Sequence, residues 1–288
     1  MRVLVTGATG FVGGRVAARL RDRGDEVRAL VRTPSEELTA IGVEQHEVGL
    51  DDRDAITAVL DGCSGVVHAA AAVGPDLASA RRVNRDGTAA LVTAAARAGA
   101  HRFVHLSTCA VYDREAGGDL LTEDAPLVRE GSPYAVTKAE AEAEAAAGRS
   151  QGLSVAVLRP PAVLGAGPTS TWGTRVPRRA RDGELPAQHP STTFGWVHVE
   201  DLVDAAVAAL DSTAEVTVNV VGGHTTWEVY VEAVRALFAE APPPPDADGD
   251  PWTGWYATDR LPETLGVRPH RSYEEAMEEI AASWQRPA

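Results

Sequence analysis

Residues 2–16 read RVLVTGATGFVGGRV: an apolar, β-branched run, then glycines at 7, 10 and 13, then the opening of a helix-like pattern. A strand that passes through glycines into a helix is suited to holding a pyrophosphate. Gly7 can turn the chain sharply, Gly10 lets the backbone approach an anion with no Cβ in the way, and Gly13 lets the helix sit close to the strand. The helix N-terminus beyond them directs unpaired N–H groups and a partial positive charge at the same point. Thr9, Phe11 and Val12 fall inside this turn and count with the glycines as dinucleotide-binding residues. The spacing Gly-x-x-Gly-x-x-Gly differs from the Gly-x-Gly-x-x-Gly of common dehydrogenases.

Working outward, short β-branched runs at 2–6, 26–31, 65–70, 102–107 and 153–160 alternate with stretches rich in Ala, Leu, Arg and Glu at 11–23, 52–61, 78–98 and 133–150. That alternation predicts βαβ units and a Rossmann-type, doubly wound parallel sheet of the α/β class. After Pro160 the regularity breaks. Residues 165–195 show no clear period, and APPPPDADGDPW at 241–252 excludes a helix, because proline lacks a donor and fixes φ. Between them, 196–210 and 216–223 read as strand, helix and strand returning to the sheet. The expected division is a dinucleotide-binding domain from 1–165 plus 196–223, and a smaller, largely C-terminal substrate-binding lobe from 166–195 plus 224–288. The proline run reads as a stiff loop within that lobe, not as a linker.

With 288 residues and 44% hydrophobic content the chain can bury a full core. Its formal charge of −14 argues against nucleic acid or an anionic membrane surface as the main partner and leaves a small-molecule substrate. Two cysteines, Cys63 and Cys109, imply no disulfide framework, and no apolar stretch reaches a membrane-spanning length, so the expected location is the cytoplasm. The histidines form no close pair on a credible helix, and His101 and His105 flank a strand, so no metal site is expected.

Two features bear on chemistry. Tyr134 and Lys138 stand four apart, on one face of a helix. A phenol needs a nearby cation before it exchanges a proton easily at neutral pH, and Lys138 can supply that charge. At the end of the second strand, where an acidic residue would select NAD, RALVRTP (28–34) places Arg32, whose guanidinium suits a 2′-phosphate and points to NADP; otherwise it is an exposed arginine after a strand.

TGATGFVG (6–13), HAAA (68–71), VNRDGTAALVTAA (83–95), STCAVY (107–112), YAVTK (134–138), LRPPAVLG (158–165), WVHVEDL (196–202), NVVGG (219–223) and ATDRLPETLGVRP (257–269) stand in the order of the blocks they resemble. The chain resembles the extended short-chain dehydrogenase/reductase family, also described as the NAD-dependent epimerase/dehydratase family. The resemblance implies that Tyr134 gives or takes the hydroxyl proton and that Lys138 also holds the nicotinamide ribose. It implies Thr108 as the hydroxyl partner, with Ser107 the alternative on the opposite strand face, and Asn84 as support for the helix that carries the site. By the same resemblance Leu50, Ala69, Ala70, Ala71, Leu106, Pro160, Ala162 and Val163 join the glycine loop around the cofactor. In VGLDD (48–52), Gly49 replaces the aspartate that the family often uses for adenine, which leaves Asp51 and Asp52 as a helix cap. Cys109, Trp172, His189, Trp196 and His198 are candidates for the substrate pocket. Arg175, Arg178, Arg179 and Arg181 form either a clamp for a nucleotide diphosphate or a solvated helix face. The helices at 78–98 and from 133 are where the resemblance would place a homodimer contact, though their alanine stripes read equally as core packing.

The expected activity is NADP(H)-dependent reduction of a ketone or aldehyde on a small or medium-sized metabolite. One alternative is a nucleotide-sugar epimerase that retains NAD; Arg32, and the absence of the Asp-Glu pair that sugar-nucleotide dehydratases carry after the catalytic Thr, favour the reductase. The second alternative is a non-catalytic NADP-sensing regulator, against which the Tyr134/Lys138 pair speaks.

Overall fold

The computed structural model describes residues 1–238, 240–245 and 247–285. Its strands in chain order are β1 (Arg2–Thr6), β2 (Glu26–Val31), β3 (Glu44–Glu47), β4 (Gly65–His68), β5 (Arg102–Leu106), β6 (Leu120–Leu121), β7 (Ser154–Arg159), β8 (Ala162–Leu164), β9 (Thr193–His198), β10 (Val216–Asn219), β11 (Gly223–Thr226) and β12 (Trp255–Tyr256). Seven of them form one parallel sheet in the order β10-β7-β5-β4-β1-β2-β3. Helices cover both faces, so the central strands are apolar along their length instead of alternating. Val3, Val5, Val67, Val104 and Leu158 face one core, with Val16, Leu20, Leu202 and Ala206 from the helices. Leu4, Val66, Phe103 and Val155 face the other, with Ile56, Leu91 and Ala145. This is the Rossmann-type α/β fold that the alternation predicts.

Two strands differ from expectation. The third strand, EQHE at 44–47, is polar and lies at the sheet edge beside β2, so no apolar run marks it. The strand expected to return to the sheet at 196 is Thr193–His198, and it pairs with β8 and β11 in a separate three-stranded sheet. Pro160 and Pro161 follow β7 and cannot donate to a ladder, so the chain leaves the large sheet there and starts β8 in the small one. Only β10 returns, pairing with β7 at the edge.

The helices keep close to their expected spans: Phe11–Asp22, Arg53–Val59 and Pro133–Ala147. Asp52 alone caps the second of these, accepting from the Ala55 N–H at 3.0 Å. The long helix expected at 78–98 is instead Leu77–Arg81, a π-helical turn Arg82–Asp86, and Gly87–Arg97. Around the small sheet, Phe194, Trp196, Trp227, Tyr230 and Ile280 build a further aromatic core. Residues 240–245 and 247–254 contain no helix or strand.

Candidate active site

The glycine loop has the geometry its sequence requires. Gly7 lies at φ +70°, in the left-handed region, and a Cβ on it would come within 2.7 Å of the Ala70 nitrogen. A Cβ on Gly13 would strike the Gly7 carbonyl, so the helix Phe11–Asp22 packs on the loop at a distance only glycine permits. Gly10 is its N-cap, with no side chain to close off the first N–H groups. This is a cradle of open backbone donors, and it fits the pyrophosphate of a nicotinamide dinucleotide.

From the cradle a cavity of about 760 Å3 runs into the small-sheet region. Its lining includes Gly7, Gly10, Phe11, Val12 and Gly13 of the loop, Ala69, Ala71 and Leu106, Thr108 and Tyr134, and Pro160, Ala162 and Val163. A second cavity of about 660 Å3, at the C-terminal end of β2, is lined by Thr9, Arg32, Thr33, Pro34, Ser35, Glu36 and Glu37. Arg32 is exposed there. Ala70 stays behind the lining, its N–H donating to the Thr6 hydroxyl at 3.3 Å. Leu50 turns its side chain onto Gly87, and the Asp51 carboxylate folds back over Gly49.

The two hydroxyls at the end of β5 differ in their bonds. Ser107 borders the cavity, but its Oγ is engaged, donating to the buried carboxylate of Glu142. Thr108 lines the cavity, its Oγ1 accepting from the Ala110 N–H at 3.1 Å. Tyr134 lines the same cavity; burial pushes its phenol above the usual value, and the Thr108 hydroxyl pulls it back in part. Lys138, one turn along the same helix, is buried. Its ammonium lies under the cavity, donating to the Leu106 carbonyl at 2.7 Å and contacting His105 Nε2 at 3.1 Å. Burial lowers its pKa to about 8, and Glu142 one turn on opposes the drop.

Beneath Lys138 lies a polar layer that sequence inspection missed. His68 packs 5.3 Å from His105, ring to ring. Its Nδ1 meets Thr6 Oγ1 at 2.7 Å and its Nε2 meets Thr88 Oγ1 at 2.9 Å, while Thr88 donates to the Asn84 carbonyl. Burial, with the Lys138 charge added, lowers His68 to about 3 and His105 well below its ordinary value, so both rings are neutral. Asn84 sits outside the cavity lining. Its side chain clamps the Ala72 backbone, accepting from the N–H at 2.7 Å and donating to the carbonyl at 3.0 Å, and donates to Thr137 Oγ1 at 2.9 Å. It thereby ties the Ala69–Ala71 segment to the helix of Tyr134 and Lys138.

Of the substrate candidates, Cys109 and Trp172 line the cavity. Burial drives the Cys109 thiol well above its usual pKa, and its Sγ contacts the Arg159 carbonyl at 3.1 Å, so it is an unreactive wall. The other three require correction. His189 is absent from the lining and accepts from the Ser191 N–H at 3.2 Å, closing its own turn. Trp196 is buried in the aromatic core, packed 5.5 Å from Tyr273 and against Gly222 and Gly223. His198 caps the helix Val199–Asp211 through Nδ1 and meets Glu279 at 3.0 Å through Nε2. Arg179 and Arg181 bond to Glu184 and Asp182 on the outer helix face, whereas Arg175 lines the cavity. Arg114, Phe194, Trp227 and Tyr256 also line it and had no local signal to single them out.

The profile of the NAD dependent epimerase/dehydratase family matches residues 3–222. The chain belongs to that family. Among its relatives in the epimerase/dehydratase family, a 3-diazoavenalumate denitrifying reductase from a Streptomyces species is 33% identical, over 94% of this chain and 93% of its own. A UDP-glucose 4-epimerase from Azospirillum brasilense is 29% identical, over 99% of this chain and 92% of its own. The UDP-glucose 4-epimerase of Thermus thermophilus, solved in complex with NAD, superposes with a TM-score of 0.81 at 27% identity, covering 99% of each chain. Family membership, with the reductase relative matched over 94% of the chain, makes this an oxidoreductase of the extended short-chain dehydrogenase/reductase type. Among the described residues no helix is long and apolar enough to cross a membrane, and no cluster of His, Cys, Asp or Glu could hold a metal.

Proposed function

We propose that the chain is an NADP(H)-dependent reductase of a ketone or aldehyde on a small or medium-sized metabolite. The observation that carries this reading is the meeting of Thr108 and Tyr134 in the cavity that begins at the glycine cradle. A carbonyl oxygen placed between the two hydroxyls would accept a hydrogen bond from each. Burial keeps the Tyr134 phenol protonated at neutral pH, which suits a group that must give a proton to the oxygen as negative charge develops there. Lys138 spends two of its three donor directions on Leu106 and His105 and has one left for a cofactor ribose. A bound nicotinamide supplies the hydride. Arg32, with Thr33 and Ser35 beside it at the end of β2, supports a 2′-phosphate and hence NADP.

The second reading, a nucleotide-sugar epimerase with retained NAD, is supported by the epimerase relative and by the NAD-bound structural neighbour. The two separate on coenzyme use. A reductase consumes NADPH in step with a panel of cyclic ketones and purifies without tightly held NAD. NADPH should bind at least about tenfold more tightly than NADH, equivalent to ~1.4 kcal/mol, and Arg32→Asp should erase the difference. Purification with bound NAD, and interconversion of nucleotide sugars with no net coenzyme consumed, would establish the epimerase instead.

A further inference from the structure

One wall of the cavity is a π-helical turn, Thr171–Arg175, and its surroundings hold it in that wide shape. The Trp172 carbonyl accepts from Tyr230 OH at 2.6 Å and the Gly173 carbonyl from Trp284 Nε1 at 3.0 Å. The fully buried Ser170 hydroxyl takes the Gly173 N–H at 2.9 Å, and Thr174 Oγ1 donates to the Gly167 carbonyl at 2.7 Å. A Cβ on Gly173 would strike the Gly165 carbonyl, so the turn cannot slide. What this framework presents to the cavity is Thr171, Trp172 and Arg175. A second arginine lines the cavity from the segment after Thr108. The Arg114 guanidinium donates to Tyr256 OH at 2.7 Å and stacks over the Trp252 ring at 4.5 Å, which fixes its plane.

The charge of the lining runs against that of the molecule. The chain holds 41 acidic and 27 basic residues, yet among the described residues the cavity is lined by two arginines and no aspartate or glutamate. Some arginines elsewhere are matched with acids, as Arg81 is with Glu140, Arg159 with Glu142 and Arg271 with Asp201, and others stand on the open surface, as Arg32 does. Among the described residues Arg114 and Arg175 have no carboxylate within ion-pair distance. A concave, aromatic-walled site with two unneutralised guanidinium forks concentrates anions and pairs with them bidentately.

We propose that the substrate is a ring-bearing carbonyl compound that carries an anion, held by Arg114 and Arg175 with its ring against Trp172, Phe194 and Tyr256. This rests on the reductase reading for the carbonyl, but the anion recognition can be tested without turnover. A carboxylate and a phosphoryl group would meet the same arginines, so the test includes both. Quenching of tryptophan fluorescence is titrated with ring ketones as pairs of free acid and methyl ester, 4-acetylbenzoate and its ester among them, and with UDP-glucose. The expected result is that acids bind at least about tenfold more tightly than their esters, and that Arg114→Met with Arg175→Met removes the preference while NADPH affinity and thermal unfolding stay as in the parent. Tight UDP-glucose binding lost in the same double variant would support the anion site with a phosphoryl source; if NADPH is then also not consumed, the reductase reading falls and the anion site stands. Equal binding of acid and ester, binding indifferent to both substitutions, or no saturable response to any acid or to UDP-glucose would overturn the proposal.

Discussion

Lys138 and Glu142 are one turn apart on the same face of the helix Pro133–Ala147, both nearly sealed from solvent at 2% and 7% exposure, and they are treated in opposite ways. Glu142 is neutralised. Arg159 meets it with Nε at 2.9 Å and Nη2 at 2.6 Å, Ser107 adds a hydroxyl, and the same guanidinium reaches Tyr112 OH and the Glu123 carbonyl. Lys138 is offered only a carbonyl and an uncharged imidazole, with Glu142 acting on it from a distance. A charge with a matched counter-ion is fixed, whereas a charge held by neutral dipoles can lose its proton close to physiological pH. The helix therefore carries its structural ion at the buried end of the Tyr134–Lys138–Glu142 stripe and its adjustable ion beneath the cavity.

The strongest way to break this contrast is to unpair Glu142. Arg159→Met leaves a carboxylate buried without its counter-ion and should cost about 3–5 kcal/mol in urea unfolding, while Arg159→Met with Glu142→Leu should recover much of it. A loss below ~1 kcal/mol in the single variant would mean that the pair is no more structural than a surface contact.

At the open end of the stripe the expected effect is kinetic. Tyr134→Phe deletes one hydroxyl and should lower turnover by ~100-fold or more, with NADP(H) affinity and unfolding midpoint unchanged. A near-normal rate would move the proton transfer to another group.

Acid sharpens the comparison through the histidines under Lys138. The unfolded chain takes up protons at His68 and His105 near pH 6.5, but burial holds native His68 neutral to about 3 and shifts His105 the same way. Stability should then fall as pH drops below 6.5, by about 1.4 kcal/mol per pH unit for each histidine. His68→Gln should flatten that slope in unfolding titrations from pH 7 to 4, and an unaltered slope would show that the ring is charged in the native state.

The smallest expected effect is the alkaline limb of the rate. If charged Lys138 supports turnover, the rate should decline by up to about tenfold per pH unit above the lysine's pKa of about 8. His105→Phe removes one ligand of the charged form and should move the limb to lower pH; a limb that stays in place would assign it elsewhere.

The parts of the site set by neighbours in sequence were open to inspection. Gly7, Gly10 and Gly13 carry their reasons in their spacing, and the Tyr134–Lys138 pair needs only helical periodicity. What distinguishes Thr108 from Ser107 is the bond that Ser107 makes to Glu142, 35 positions away. The small-sheet region was opaque because its strands come from three distant segments, 162–164, 193–198 and 223–226, and their packing decides that Phe194 reaches the cavity while Trp196 turns into the core. His189 and His198 looked like ligand-binding residues and proved to be caps, a use to which any polar side chain at a turn or helix start can be put. β3 had no apolar pattern to find.

The π-helical turn Arg82–Asp86 amounts to one surplus residue inside an otherwise α-helical run from Leu77 to Arg97. Removing one residue there would restore α-geometry and keep the flanking helices in phase, with their buried faces still on the sheet. What it would take away is the placement of Asn84, and with it the bonds to Ala72 and Thr137. At this point a length change would spare the helical phase and release the segment at Ala72 from the helix Pro133–Ala147, so a single-codon deletion would uncouple two elements without displacing either from the sheet.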